Sequence, residues 1–184
     1  VPPLLTQGTL TMANVNAPYG LLPFQSAIGA ASNFEMIQAN IAYDNTVKIF
    51  RGDPVTDLVS GYVGQWVATN SVAQMRGIFW GCTYLSTALG KVVQSQIWPG
   101  ADVASTAQDS IVANIIPVSG TASPLFVVQS DATGVAFADI GANIDIALGT
   151  GSTITGWSGA YLNLSTINTT ATGWRYIHYT CGTG

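Results

Sequence analysis

From about residue 41 onward, the chain consists of short runs rich in Val, Ile, Thr and aromatic residues, separated by Gly, Pro, Asn, Asp or Ser. Apolar residues tend to recur at every second position of these runs, as they do in half-buried β-strands. The runs follow one another about every 8–16 residues, with no convincing amphipathic helix between them. This pattern predicts an all-β fold, an antiparallel β-sandwich or barrel of jelly-roll type. The runs cover 46–50, 62–69, 75–85, 91–98, 109–116, 124–131, 145–150, 160–165 and 174–180.

Residues 1–40 follow a different pattern, with neither strand alternation nor helical spacing of the apolar residues. They contain Pro2, Pro3, Pro18 and Pro23, and Glu35 is their one charged residue. Proline removes a backbone donor and favours an extended conformation in the residue before it. We therefore expect an extended N-terminal arm over 1–40 and a β-rich domain over 41–184. The arm is apolar, so it is expected to lie along its own domain, a sister subunit or another protein.

The chain carries very little charge, with Asp, Glu, Lys and Arg making up 8% of its 184 residues, against about 25% in an ordinary soluble domain. It is 48% hydrophobic and has a net charge of −4, which is the opposite of a disordered composition. One explanation for how such a chain stays soluble is that it is a monomeric β protein with many hydroxyl groups on its surface. A surface largely covered by partners is the explanation we favour, since exposed charge is what normally keeps a monomer soluble.

Composition also restricts the classes of partner. The five Lys and Arg residues are scattered along the sequence and do not form the basic footprint that nucleic-acid binding needs. No apolar run approaches the roughly 18 residues of a membrane-spanning helix. The sequence therefore predicts neither a nucleic acid nor a membrane as partner.

Residues suited to catalysis or metal binding are scarce. The chain has one histidine, His178, one glutamate, Glu35, and two distant cysteines, Cys82 and Cys181. Acid–base catalysis usually needs histidine or paired carboxylates, and a zinc site needs about four closely arranged His or Cys ligands. We therefore expect a protein that is not an enzyme and has no catalytic residue, cofactor or metal.

Two short motifs permit a functional and a plainer interpretation. The triplet from Arg51 to Asp53 matches a cell-adhesion motif, but Pro54 directly after it is typical of a simple turn. Asp139 and Asp145 flank "IGANI" within 134–147, which is expected to hold a short helical turn or a loop. Their carboxylates suit calcium, whereas the plainer interpretation is a turn with Asp as its cap.

Five tryptophans remain without a catalytic explanation. Trp rings stack on sugars and also anchor protein–protein interfaces, so a carbohydrate-binding function competes with an interface function. Trp98 ends a predicted strand before Pro99-Gly100 and is expected to present its ring at a sheet edge. The tryptophans are Trp66, Trp80, Trp98, Trp157 and Trp174.

Several stretches recur in the same order in a family of virion proteins. They are "MANVNAPYGLLPF" (12–24), "FRGDPV" (50–55), "GIFWGCTY" (77–84), "QIWPGADVAST" (96–106) and "LGTGSTITGWSGAYLNLSTI" (148–167). On these stretches the chain resembles the head decoration, or cement, proteins of podovirus-like tailed bacteriophages. Their shared order, rather than any one of them, carries the resemblance.

The resemblance implies a β-rich homotrimer on the outer surface of an icosahedral head, made in the cytoplasm of the host bacterium. There it would stabilise neighbouring subunits of the major capsid protein, with no catalytic residues. For the arm contacts we expect Leu21, Leu22 and Phe24, and for the subunit contacts Trp98 and Trp157. The alternative function is a receptor- or glycan-binding fibre or tail appendage of the virion.

Overall fold

The computed structural model describes residues 17–26, 35–67, 74–118, 124–131, 136–168 and 174–175. Thirteen strands and two short 3-10 helices, Ser105–Ser110 and Phe137–Asp139, form these parts of the chain. All strand pairs are antiparallel. The predicted all-β class is confirmed. The arrangement is sandwich-like, since no sheet in the described ranges closes into a barrel.

The strands are short, apart from one long central strand. In chain order they are β1 (Leu22–Ser26), β2 (Ile37–Ala39), β3 (Ile49–Phe50), β4 (Pro54–Asp57), β5 (Val63–Gln65), β6 (Met75–Ser86), β7 (Lys91–Ser95), β8 (Ile97–Trp98), β9 (Val112–Pro117), β10 (Pro124–Val127), β11 (Asn143–Ala147), β12 (Tyr161–Asn168) and β13 (Trp174–Arg175).

Strand β6 organises the largest sheet, whose order is β2-β9-β6-β4-β5. Its first residues pair with β4 and its last residues with β7, while β9 runs along the opposite edge. The second sheet has the order β12-β11-β13, and the pairs β1-β10 and β3-β8 complete the set. The apolar run 75–85 suits this central position, because a strand that is buried on both faces has apolar residues at successive positions.

Two apolar cores lie on opposite faces of the large sheet. Ile78 and Phe79 are consecutive residues of β6, so their side chains point to opposite faces, and both are fully buried. Phe79 packs in the first core, whose buried members are Ile41, Ile49, Val55, Val63, Phe79, Cys82, Tyr84, Trp98, Ile111, Ala113 and Ile115. Ile78 packs in the second, with Leu21, Trp66, Met75, Ile144, Ile146, Ala160, Leu162 and Leu164. Each fully buried Ile or Phe contributes about 1.5–3 kcal/mol to folding.

The predicted runs correspond well to strands, because each of the nine overlaps at least one. The helical turn expected within 134–147 is present at Phe137–Asp139. Strands β1, β2 and β4 lie outside the predicted runs, and the sequence around Pro54 predicts only a turn. Pro54 is the first residue of β4, a position where a strand tolerates a residue without a backbone N–H.

The described residues of the predicted arm are extended, but they belong to the β structure. Strand β1 pairs with β10, and β2 pairs with β9 in the large sheet. Leu21 is a member of the second core. The described residues of 1–40 therefore lie along the chain's own β structure, which is one of the three positions expected for the arm. Residues 1–16 lie outside the described ranges.

Candidate functional site

A buried carboxylate connects three distant segments of the chain. Asp53 is only 2% exposed. Its Oδ2 accepts hydrogen bonds from the Phe50 backbone N–H (2.8 Å) and from Gln65 Nε2 (2.9 Å), and its Oδ1 accepts one from the Ser158 hydroxyl. Ser158 Oγ in turn accepts from the Ala160 N–H at 2.9 Å. The turn at 50–53 is thereby fixed to β5 and to the segment before β12.

Burial raises the pKa of Asp53 above its ordinary value, although the hydrogen bonds from Phe50, Ser158 and Gln65 lower it in part. Because Gly52 and Asp53 are both buried, a partner protein has no access to this carboxylate. The adhesion interpretation of the triplet is therefore wrong, and the plainer interpretation of a turn is confirmed.

Two glycines let the segment before β1 approach this turn closely. Gly20 has φ of +80°, and a Cβ there would lie 2.5 Å from Ser158 Cβ. Gly52 has φ of +94° and donates its N–H to Phe79 O (2.8 Å), while its own carbonyl accepts from the Leu21 N–H (3.0 Å). A side chain at position 20 would be both strained and obstructed, so glycine there allows β1 to start from the buried turn.

A β-bulge directs Trp80 out of the regular ladder. The pairing of β6 with β9 shifts between Phe79 and Gly81, which leaves Trp80 as the extra residue. Bulges of this kind re-aim a side chain and are common near functional sites. Trp80 is half-buried, in contrast to the fully buried Phe79 before it.

Trp80 belongs to a cluster with Arg51 and Trp157. The guanidinium carbon of Arg51 lies 3.8 Å from the Trp80 ring centroid and 4.8 Å from that of Trp157. The two rings meet edge to face, with centroids 6.3 Å apart. Burial lowers the pKa of Arg51, and backbone hydrogen bonds from Arg51 N to Gly156 O and from Ser158 N to Arg51 O hold it in place. The cluster therefore fixes the orientation of the Trp80 ring.

Two surface depressions border Trp80. The apolar depression, of ≈ 300 Å³, is lined by Leu22, Pro23, Met36, Trp80 and Ile116. The polar depression, of ≈ 350 Å³, is lined by Trp80, Gly81, Cys82, Thr83, Gln94, Ser95, Gln96 and Asn114. We call these two sets of residues together the Trp80 surface.

Three of the five expected contact residues are at or near this surface. Leu22 lines the apolar depression, and Trp157 contacts Trp80 through the aromatic cluster. Phe24 follows Leu22 in β1 and is 61% exposed. Whether these side chains touch another protein stays a prediction.

Trp98 does not present its ring at a sheet edge, so that expectation is corrected. The side chain is 0% exposed and packs edge to face on Tyr84, with centroids 5.9 Å apart. Its indole N–H donates to Asn45 O at 2.9 Å, which satisfies the one polar group of the ring. Gly100, with φ of +68°, turns the chain so closely to Thr46 that a Cβ would lie 2.3 Å from its carbonyl oxygen. The Trp-Pro-Gly segment therefore completes the first core.

Leu21 is corrected for the same reason. It is 1% exposed and packs in the second core, so its side chain does not reach a partner. Its neighbour Leu22 points to the surface because successive residues of an extended segment alternate in direction.

Sequence reasoning missed the central residue of the surface, Trp80, together with Met36 and Ile116. One signal was present, since Gly81 follows Trp80 inside a strand-type run, and a glycine there often marks a bulge. Met36 and Ile116 come together only through the pairing of β2 with β9. Local sequence patterns do not predict which strands pair.

Metal and membrane sites find no support in the described ranges. No group of three or more His, Cys, Asp or Glu side chains is placed there to hold a metal ion, and no helix there has the length and apolar character to cross a bilayer. Asp139 caps its turn by accepting from the Ala136 N–H at 2.7 Å, as the plainer interpretation had it. His178 and Cys181 lie outside the described residues.

No protein-family model, curated protein or solved structure matches this chain. The resemblance to phage head decoration proteins therefore stays a prediction.

Proposed function

We propose that the chain is a structural virion protein, a decoration or cement protein that binds the outer surface of a phage head and stabilises neighbouring major capsid subunits. The ordered family stretches support this function. The apolar depression of the Trp80 surface is the proposed contact with the major capsid protein. The protein acts by binding and catalyses no reaction.

The observation that carries the proposal is an apolar surface depression in a chain with 8% charged residues. Met36, at its edge, is 50% exposed, and the neighbouring Phe24 is 61% exposed. Covering such side chains with a partner contributes about 25 cal/mol for each Å² removed from water. Contacts of this kind depend little on salt, so they suit a protein that has few charges for attracting a partner.

Oligomerisation increases the effect of each contact. In a homotrimer, three copies of the apolar depression bind as one unit, and the second and third contacts form at a high effective concentration. A closed threefold interface also covers strand edges and apolar side chains that a monomer exposes. The composition of the chain is consistent with such covering.

The test is binding of the purified chain to phage heads that lack it, measured by co-sedimentation. The diagnostic variant is Met36→Ser, and the matched control is Leu89→Ser, because Leu89 is 61% exposed but does not line either depression. We expect Met36→Ser to weaken head binding at least about fivefold, which corresponds to about 1 kcal/mol. Leu89→Ser should bind as the parent does. Equal binding by both variants, or no binding by the parent chain, would contradict the proposal.

A further inference from the structure

The polar depression beside Trp80 differs in chemistry from the apolar one. Its lining carries amide and hydroxyl groups from Gln94, Gln96, Asn114 and Thr83, and no Asp, Glu, Lys or Arg side chain is among the lining residues. Its volume of ≈ 350 Å³ falls in the range of about 300–1,000 Å³ that is typical of small-molecule sites. A lining that is uncharged but rich in donors and acceptors suits an uncharged ligand with many polar groups.

Backbone geometry keeps this depression open. Gly81 has φ of +151°, and a Cβ there would lie 3.0 Å from Ser95 O, so any larger residue would be strained and crowded. The absence of a side chain at Gly81 leaves room directly beside the Trp80 ring. The bulge at Trp80 and the glycine after it thus produce one aromatic wall and an unfilled space next to it.

The polar side chains of the lining are available to a ligand. Within the described part of the chain, no hydrogen bond occupies the side-chain amides of Gln94, Gln96 or Asn114. Gln94 and Gln96 are exposed, and Asn114 is half-buried. An amide group both donates and accepts hydrogen bonds, which matches hydroxyl groups, since these also do both.

We propose that the polar depression is a binding site for a neutral saccharide. The sugar ring lies against Trp80, and its hydroxyl groups bond to the amides of Gln94, Gln96 and Asn114. Aromatic rings offer apolar area together with a fixed orientation, and Arg51 and Trp157 hold this ring in place before a ligand arrives. Such preorganisation lowers the entropic cost of binding.

The site binds its ligand without covalent chemistry. Cys82 is the one nucleophilic thiol in the lining, and burial raises its pKa to about 12. Its Sγ contacts Ile97 O at 3.5 Å. A thiol with such a pKa stays protonated at neutral pH and is a poor nucleophile.

The test uses the full chain on an array of neutral and acidic glycans, followed by calorimetric titration of the neutral oligosaccharide that binds. The diagnostic variants are Gln94→Ala and Gln96→Ala, whose side chains are exposed. The matched control is Asn40→Ala, since Asn40 also carries an exposed amide but lies outside the depression. Each lost hydrogen bond should weaken binding about two- to twelvefold, and the control should bind as the parent does.

Binding of no neutral glycan, binding of acidic glycans only, or equal loss in Asn40→Ala would overturn the saccharide site. The proposal does not depend on the capsid function. Head binding without saccharide binding would refute this site alone, and saccharide binding without head binding would refute the decoration function alone.

Discussion

Replacing Asp53 by alanine should destabilise the fold strongly, because its carboxylate is the shared acceptor of three segments. The substitution leaves the Phe50 N–H, the Gln65 amide and the Ser158 hydroxyl without their partner. A buried donor left unpaired costs about 1–3 kcal/mol. The variant no longer bears the desolvation cost of the carboxylate, which offsets part of the loss. We therefore expect a decrease of about 3–5 kcal/mol in the free energy of unfolding.

For a chain of this size, that decrease lowers the melting temperature by about 6–20 °C, as measured by circular dichroism. The matched control is Asp57→Ala, because Asp57 is exposed and its ion pair with Arg76 (3.1 Å) lies at the surface. Surface ion pairs contribute about 0–1 kcal/mol. Equal losses in Asp53→Ala and Asp57→Ala would refute the account of Asp53 as a structural link.

The same carboxylate gives stability a pH dependence with a defined sign. The folded-state pKa of Asp53 is raised above the ordinary value of 3.8, so the folded state binds its proton more tightly than the unfolded state does. Its contribution is greatest below the unfolded-state pKa and decreases as pH rises through the folded-state pKa. Asp53→Asn cannot titrate there. The stability of the parent relative to Asp53→Asn should therefore fall as pH rises through this window, and a constant difference in urea unfolding would contradict the raised pKa.

Three further predictions concern packing, reactivity and binding. Gly20→Ala should lower the free energy of unfolding by at least about 2 kcal/mol. The control is Gly90→Ala, where φ is +62° but a Cβ would meet no atom within 4 Å, and its free energy of unfolding should fall by only about 1 kcal/mol. Equal losses of the two variants in thermal melts would count against the close approach at Gly20. In a Cys181→Ser background, Cys82 should react with iodoacetamide far more slowly in the folded chain than in urea, and rapid labelling of the folded chain would show an accessible thiol. Head binding in co-sedimentation should change little between about 0.1 and 1 M NaCl, and loss at high salt would indicate a charged interface.

The strands were predictable because a period of two in the apolar residues is a local signal. Their pairing was not, since β6 joins residues near 54, 92 and 115 in one sheet. Buried polar links are equally non-local. Asp53 is stabilised by Gln65 and Ser158, and the second of these lies 105 positions away.

Trp98 shows why the end of a predicted strand is a poor guide to side-chain exposure. It precedes Pro99-Gly100, which gave the expectation of a sheet edge, and it shares the parity of Val92, Gln94 and Gln96, which are all exposed. The chain bends at Gln96, between β7 and β8, and the alternation does not continue across the bend. Trp98 then pairs with Ile49 in β3 and enters the first core. An interruption of one residue is enough to move a side chain to the other face.

The central claim is that the apolar depression of the Trp80 surface holds this protein on a phage head. The most direct measurement is cryo-electron microscopy of heads that lack the protein, after addition of the purified chain. We expect density at regular symmetry positions of the shell, with Met36 and Leu22 facing the major capsid protein. Bare heads, density at the tail alone, or bound subunits whose apolar depression faces solvent would contradict the claim.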